Sequence, residues 1–329
     1  MPKRTTNIPG RPALDLVSYG RRGPGRADRL TPAEVQQIER TVSRTPEVMV
    51  KVLSKGGQDF RAVQRHVDYL SRGGELEVET DDGVLQGKGV EKELLENWDL
   101  DLDVHRRRNE LTAANGRQSP KLVHKLMFSM PAGTPPDRLL ASVRDFAREE
   151  FAFKHRYAMV LHTDEPHPHV HMVVKAVSEQ GERLNIRKAT LHEWREEFAR
   201  HLRVHGVSAN ATQRFVRGET QPRKSDGIHR AMLRGGSTHV YERVRAIANT
   251  LLNGDHIAEP VKAHLLESRT LVEKGWRVVR NLLATSAHPD LASKVDRFIR
   301  QMPPPLTENE WFAEQLRQHR HVQTPGVGH

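Results

Sequence analysis

The stretch His162-Thr-Asp-Glu-Pro-His-Pro-His-Val-His171 places four histidines and an aspartate within ten residues. Apolar runs flank it. Tyr157-Ala-Met-Val-Leu161 reads as a strand that delivers His162 at its end, and His169-Val-His-Met-Val-Val-Lys-Ala-Val177 reads as a second strand. Side chains alternate faces along a strand, so His169 and His171 share one face while Val170 and Met172 take the other. The Asp164–Pro168 connection is short enough to fold the strands into a hairpin, which sets His162 beside the pair. Three imidazoles then converge on one point, as a divalent metal site with open coordination positions requires. One histidine on a strand is ordinarily packing or surface; two at i,i+2 with a third ending the preceding strand are much harder to dismiss. A closed structural zinc site usually wants four protein ligands, often cysteines, and this chain has no cysteine. His162, His169 and His171 therefore suit an ion that leaves room for substrate oxygens. His167, between two prolines, breaks the alternation and stays outside the set.

Working upstream, Asp137–Phe151 carries Leu139, Leu140, Val143, Phe146 and Ala147 on one side of a helix. Lys121–Met130 precedes it as a strand, apolar towards its C-terminal end and so expected near the centre of a sheet, and broken by Pro131-Ala-Gly-Thr-Pro-Pro136. Val48–Leu53 reads as the first strand of this region. Gly56-Gly57 turns the chain into a helix near Asp59–Ser71, closed by Gly73-Gly74. Tyr69 lies in the last turn of that helix, with His66 three residues earlier on the same face; by default such a tyrosine is a packing residue. Glu75–Glu79 is expected as a short edge strand whose charges discourage mispairing. A short helix is expected around Val90–Trp98, then the basic run His105-Arg-Arg-Arg108 and a turn at Asn115-Gly116. Downstream of the histidines, Glu182–Arg187 is expected as a further strand and Thr190–His205 as a helix ending at Gly206. Helices interleaved with mostly antiparallel strands indicate the α+β class, a central antiparallel sheet flanked by helices.

Residues 1–45 read as a basic N-terminal extension. Its first 30 residues are too rich in Arg, Gly and Pro to order themselves, and serve either as a solubilising tail or as a phosphate-gripping arm. Thr31-Pro-Ala-Glu34 then has the form of a capping box that opens a helix running to about Arg44. Residues 46–215 form the main domain. Residues 216–329 read as a linker and a helical appendage, with patterns near Val240–Leu252, Glu259–Leu283, Ala287–Met302 and Glu308–His319. The 329 residues suffice for a large domain plus a smaller one. A net charge of +10 points to a polyanionic partner, without separating DNA from RNA or an anionic membrane. No apolar run of about 18 residues is present, which argues against a membrane span, and the basic N-terminus lacks the apolar core of a signal peptide. A cytoplasmic protein is expected.

His169-Val-His171 has the His-hydrophobic-His form of the HUH endonucleases, and the block with His162 and Asp164 resembles the third motif of conjugative relaxases, especially the VirD2-like branch of the MOBP class. Asp68-Tyr-Leu-Ser-Arg72 resembles the first motif of that branch, which carries a nucleophilic tyrosine, and Phe128-Ser-Met-Pro-Ala-Gly133 resembles the second. The resemblance spans roughly residues 48–215. It implies a metal on a helix-flanked antiparallel sheet and Tyr69 as nucleophile. It implies nicking and rejoining of single-stranded DNA at the transfer origin of a plasmid or integrative element, through a 5′-phosphotyrosine. Accessory DNA-binding proteins, a type IV coupling protein, and bacterial cytoplasm with passage into the recipient cell follow from the same resemblance. The expected cofactor is a divalent ion, Mg²⁺ or Mn²⁺. A phenol titrates near pH 10, so working at neutral pH asks for about 3 units of help, about 4 kcal/mol. Asp164 is expected either to fix the tautomer of a ligand histidine or to accept the tyrosine proton. His66 and Arg72 either assist or are helix surface. Aromatics are scarce, and Trp98 and Trp194 are the candidates for stacking on bases.

Three other readings compete. A rolling-circle replication initiator uses the same chemistry but carries its tyrosine downstream of the histidine pair, where this chain has only Tyr241, in the appendage. A non-enzymatic DNA-binding accessory protein would lack the nucleophile or a ligand. A two-histidine phosphoesterase wants two separated His-x-Ser/Thr motifs, a pattern His162-Thr163-Asp164 does not fit.

Overall fold

The computed structural model describes residue 16, residues 29–53, 57–100 and 120–219, positions 242, 245–247 and 249, and residues 261–314. In chain order these form α1 (Pro32–Val42), β1 (Met49–Leu53), α2 (Phe60–Ser71), β2 (Val78–Thr80), β3 (Val84–Leu85), α3 (Val90–Asn97), β4 (Val123–Ser129), α4 (Pro136–Phe151), β5 (Tyr157–His162), β6 (His169–Lys175), α5 (Lys188–Val204), a 3-10 turn (Arg214–Arg217), α6 (Val261–Thr285) and α7 (Pro289–Arg300). The chain divides into two compact units, one comprising Arg44–Ala211, the other joining Ala13–Ser43 to Thr212–His329. The expected basic stretch at 20–26, the run His105–Arg108, the Asn115-Gly116 turn, the linker beyond 219 and Tyr241 lie outside the described residues.

The first unit is built on a six-stranded sheet of order β1-β4-β6-β5-β2-β3, with every pairing antiparallel. The α+β expectation holds. Alternation sorts the side chains into two cores. On one face Val50, Leu126, Phe128, Met159, Val170, Met172 and Val174 meet Val143, Phe146 and Phe151 of α4 and Trp194, Phe198 and Leu202 of α5. On the other, Val123, Ala158, Val160 and Val173 meet Val63, Val67 and Leu70 of α2 and Leu94 and Leu95 of α3. Full burial of each such side chain stabilises by about 1.5–3 kcal/mol, so both faces are held by packing. The register sets His162 opposite His169, and His171 opposite Val160 on one side and Met127 on the other.

Two expectations need correction, and the sheet order explains both. The strand near Glu75–Glu79 is Val78–Thr80 and is not an edge: it lies between β3 and β5. Glu79 is held by a two-point bond from Arg144 (2.8 and 2.6 Å), so its charge is paired within the fold. Glu182–Arg187 is not a strand. Both sides of β6 are already occupied by β4 and β5, which leaves the returning segment one bridge, Val177 to Arg183. It instead lays Leu184 and Ile186 against the core.

The second unit is helical. α1 opens as the capping box requires: the Thr31 hydroxyl accepts from the Glu34 amide at 3.2 Å, and the Glu34 carboxylate accepts from the Thr31 amide at 2.8 Å. Ile38 of α1 shares a core with Val272, Trp276 and Val279 of α6 and Val295 of α7. The Trp276 indole donates to the Val216 carbonyl at 2.8 Å, tying the 3-10 turn to α6. Among the described residues no helix is long and apolar enough to cross a membrane.

Candidate metal centre and the tyrosine beside it

The histidines stand at the end of the sheet where the β5–β6 hairpin closes. His162 and His169 are buried and His171 is partly so. One ligand atom from each lies within 4.8 Å of the others, and the ring centroids are 5.0–5.3 Å apart. Backbone carbonyls only accept, so they fix two of the rings. His162 Nε2 donates to the Leu70 carbonyl at 2.9 Å, which leaves Nδ1 as its lone-pair atom. His169 Nδ1 donates to the His167 carbonyl at 3.1 Å, which leaves Nε2. His171 Nδ1 is enclosed and has no partner among the described residues. Burial, reinforced by His162, His169 and His66, pushes the His171 imidazole down to about 3. Burial also lowers His162, against the opposing pull of the Leu70 carbonyl. Rings with lone pairs to offer, one of them enclosed and without a partner among the described residues, fit a divalent cation.

The one other grouping of possible ligand atoms among the described residues is Glu149, Glu197 and His201. There Arg200 already bonds both carboxylates, so the cluster carries its own cation.

Tyr69 reaches the centre through α2. Asp59 caps that helix by accepting the Ala62 amide at 2.9 Å. Val63, Val67 and Leu70 turn one stripe into the core and leave Tyr69 59% exposed. The Leu70 carbonyl that holds His162 belongs to the residue after the tyrosine, so the nucleophile candidate and the imidazole cluster share a direct link. Arg72 supplies another. Its guanidinium lies 5.0 Å from the centre of the Tyr69 ring and forms an ion pair with Asp164, two residues beyond His162. Proximity to the Tyr69 hydroxyl, followed by the Asp164 charge, raises the guanidinium pKa. Asp164 is slightly desolvated, which raises it, but its own backbone amide and Arg72 hold the carboxyl below its ordinary range. Among the described residues, the side-chain partner of Asp164 is Arg72.

Arg72 sits at φ 55°, the left-handed position after a helix that usually falls to glycine. His66 lies 6.4 Å, centre to centre, from His171, and burial pushes it down to about 4, Lys125 adding to the effect. His167 accepts the Ala132 amide at 3.0 Å, bracing the hairpin against the turn that follows β4. Trp98 and Trp194 are each 1% exposed and packed in the two cores, so neither is a platform for bases.

An antiparallel sheet with helices on both faces and an imidazole cluster at one end is the arrangement that the relaxase resemblance implies. Residues 69–207 match the family model described as relaxase, MobA/VirD2-like, nuclease domain. Similar proteins include T-DNA border endonucleases VirD2. That of Rhizobium radiobacter is 24% identical over 212 residues, covering 57% of this chain and 47% of the relative. That of Agrobacterium fabrum is 25% identical over 235 residues, covering 64% and 49%. That of Rhizobium rhizogenes is 26% identical over 197 residues, covering 52% and 42%. The alignments thus span about half the length of these curated relatives. A solved structure from work on vancomycin-resistance transfer in Staphylococcus aureus aligns at 16% identity and a TM-score of 0.25, covering 32% of this chain and 64% of that one, a likeness too weak to bear on the fold.

Proposed function

We propose that the chain is a DNA relaxase that nicks and rejoins one strand at a transfer origin through a 5′-phosphotyrosine on Tyr69. The observation that carries the reading is the link between the tyrosine helix and the imidazoles: Leu70 holds His162, and Arg72 joins Tyr69 to Asp164. Attack by the Tyr69 oxygen on phosphorus expels the 3′ oxygen as a free hydroxyl and leaves the 5′ phosphate on the tyrosine. The reverse attack by a 3′ hydroxyl restores the strand. The guanidinium of Arg72 favours negative charge as it develops on the phenol oxygen. His162, His169 and His171 are the residues to hold a divalent ion, Mg²⁺ or Mn²⁺, which when bound would draw charge from the phosphate oxygens. Asp164 acts by fixing Arg72.

Single-stranded DNA is the expected substrate, because a backbone must be unstacked to reach a site at the end of a sheet. Accessory origin-binding proteins and a type IV coupling protein are the expected partners. The test is a labelled single-stranded oligonucleotide carrying the element's own origin, incubated with Mn²⁺ and resolved on a denaturing gel. A slow-migrating adduct that disappears with EDTA supports the reading. Binding without any adduct on a verified origin favours a non-enzymatic accessory protein.

A further inference from the structure

Lys125 is a cation in an enclosed place. It sits in the middle of β4 and is 5% exposed, yet no hydrogen bond or ion pair to it is found among the described residues. Nζ is nevertheless not sealed from solvent. Burial lowers its ammonium pKa, and no carboxylate among the described residues acts against it. Desolvating a charge without compensation is costly, and lysines are almost never so deeply buried unless paired.

Its place in the sheet is specific. Lys125 lies opposite Leu53 of β1 and Val173 of β6, two residues along β4 from Met127, which lies opposite His171. Period-two alternation puts Lys125 on the same sheet face as His171 and His169. Two residues of strand set its row about 7 Å from that of His171. In the row of His171, the edge strand contributes the exposed Lys51 opposite Met127. The neighbouring ring, His66, is held neutral by its burial and supplies no negative charge.

We propose that Lys125 is a phosphate-binding residue, taking a DNA backbone phosphate next to the scissile one and so fixing the register of the strand over the imidazole cluster. The proposal rests on the relaxase reading for the identity of the anion, but its test does not use catalysis. The ammonium donates to a non-bridging phosphate oxygen, and the substrate brings the counter-charge that the described residues do not supply. Lys125 is here a positioning residue: it takes no part in bond making.

The test compares the full-length protein with Lys125→Met, a change that keeps the volume of the stem and removes the charge. Binding of the origin oligonucleotide is measured in EDTA across a salt series, then repeated with single methylphosphonates walked along the strand. The wild type is expected to bind about tenfold or more tightly than the variant. The slope of log affinity against log salt should fall by about 0.7 in the variant, one phosphate contact on a single strand. Neutralising one particular phosphate should weaken the wild type and leave Lys125→Met unaffected. The DNA-free variant should melt no lower than the wild type, since it loses an unpaired buried charge. Equal salt slopes, a uniform loss at every methylphosphonate position, or a variant that cannot fold would each overturn the proposal, the last by showing that the lysine serves the fold. Absence of an adduct with wild-type protein would instead count against the relaxase reading, and is read in a separate assay.

Discussion

Replacing Arg72 by glycine separates stability from activity, because the residue serves the two in opposite directions. Its backbone lies at φ 55°, a conformation that costs an ordinary L-residue about 1–2 kcal/mol and glycine almost nothing. Against that relief stand three losses. The Arg72–Asp164 pair has side chains 34% and 56% exposed, so solvent screens it and it adds little. The stacking on Tyr69 at 5.0 Å contributes about 0.5–1 kcal/mol at an exposed site. The added freedom of a glycine in the unfolded chain costs about 0.5–1 kcal/mol. The sum lies within about 1 kcal/mol of zero, so Arg72→Gly should melt close to the wild type. Its single-turnover rate of adduct formation should fall about 10–100-fold, the equivalent of one lost charged hydrogen bond of about 1.5–3 kcal/mol. Arg72→Lys gives the complementary signature: it keeps the charge and the strained backbone, so it should match the glycine variant in stability to within about 1 kcal/mol and be more active. Stability is read by urea denaturation and rate by gel-resolved adduct. A glycine variant that reacts at the wild-type rate, or whose activity and stability collapse together, would refute the reasoning.

Further outcomes follow from the same geometry. Mn²⁺ at about 100 times its dissociation constant should stabilise the wild type by about 2.7 kcal/mol, and thermal melts of His171→Ala should show no such shift. Burial pushes His124 and His66 down to about 4 from 6.5, so between those values the unfolded chain binds more protons. Their contribution to stability is complete above pH 6.5 and is lost as pH falls towards 4, by up to about 3 kcal/mol for each group. His124→Leu should flatten the Tm-versus-pH curve of the EDTA-treated protein over that window. Gly74→Ala places a Cβ 1.9 Å from the Gly87 carbonyl oxygen at φ +90°, behind the turn that ends the tyrosine helix. It should lose about 2–4 kcal/mol in urea melts and slow adduct formation.

The imidazole cluster was legible because histidines at i,i+2 can only share a face, and the short hairpin sets the third beside them. Helix starts such as Thr31–Glu34 were legible because capping is local chemistry. What the sequence hid depends on distance along the chain. Arg72 and Asp164 are 92 residues apart, and nothing local announces their pairing. Lys125 interrupts an apolar run in the way any strand lysine might, and its burial arises only in the folded chain, where helices pack on that face of the sheet. Glu75–Glu79 looked like an edge because charge near a strand usually means exposure, whereas Arg144 on a distant helix pairs with Glu79. The partner of α1 was equally hidden: Ile38 is buried against Trp276, far along the chain. The two tryptophans offered for base stacking are core residues, a distinction that composition cannot make.

The most direct test of the central claim is to isolate the adduct formed with the origin oligonucleotide, digest it with protease and nuclease, and locate the modified residue by mass spectrometry. The account predicts a nucleotide 5′-phosphate on Tyr69 in the peptide containing Asp68-Tyr-Leu-Ser-Arg72, and no adduct from Tyr69→Phe. An adduct on any other residue, or one that persists undiminished in Tyr69→Phe, would contradict it.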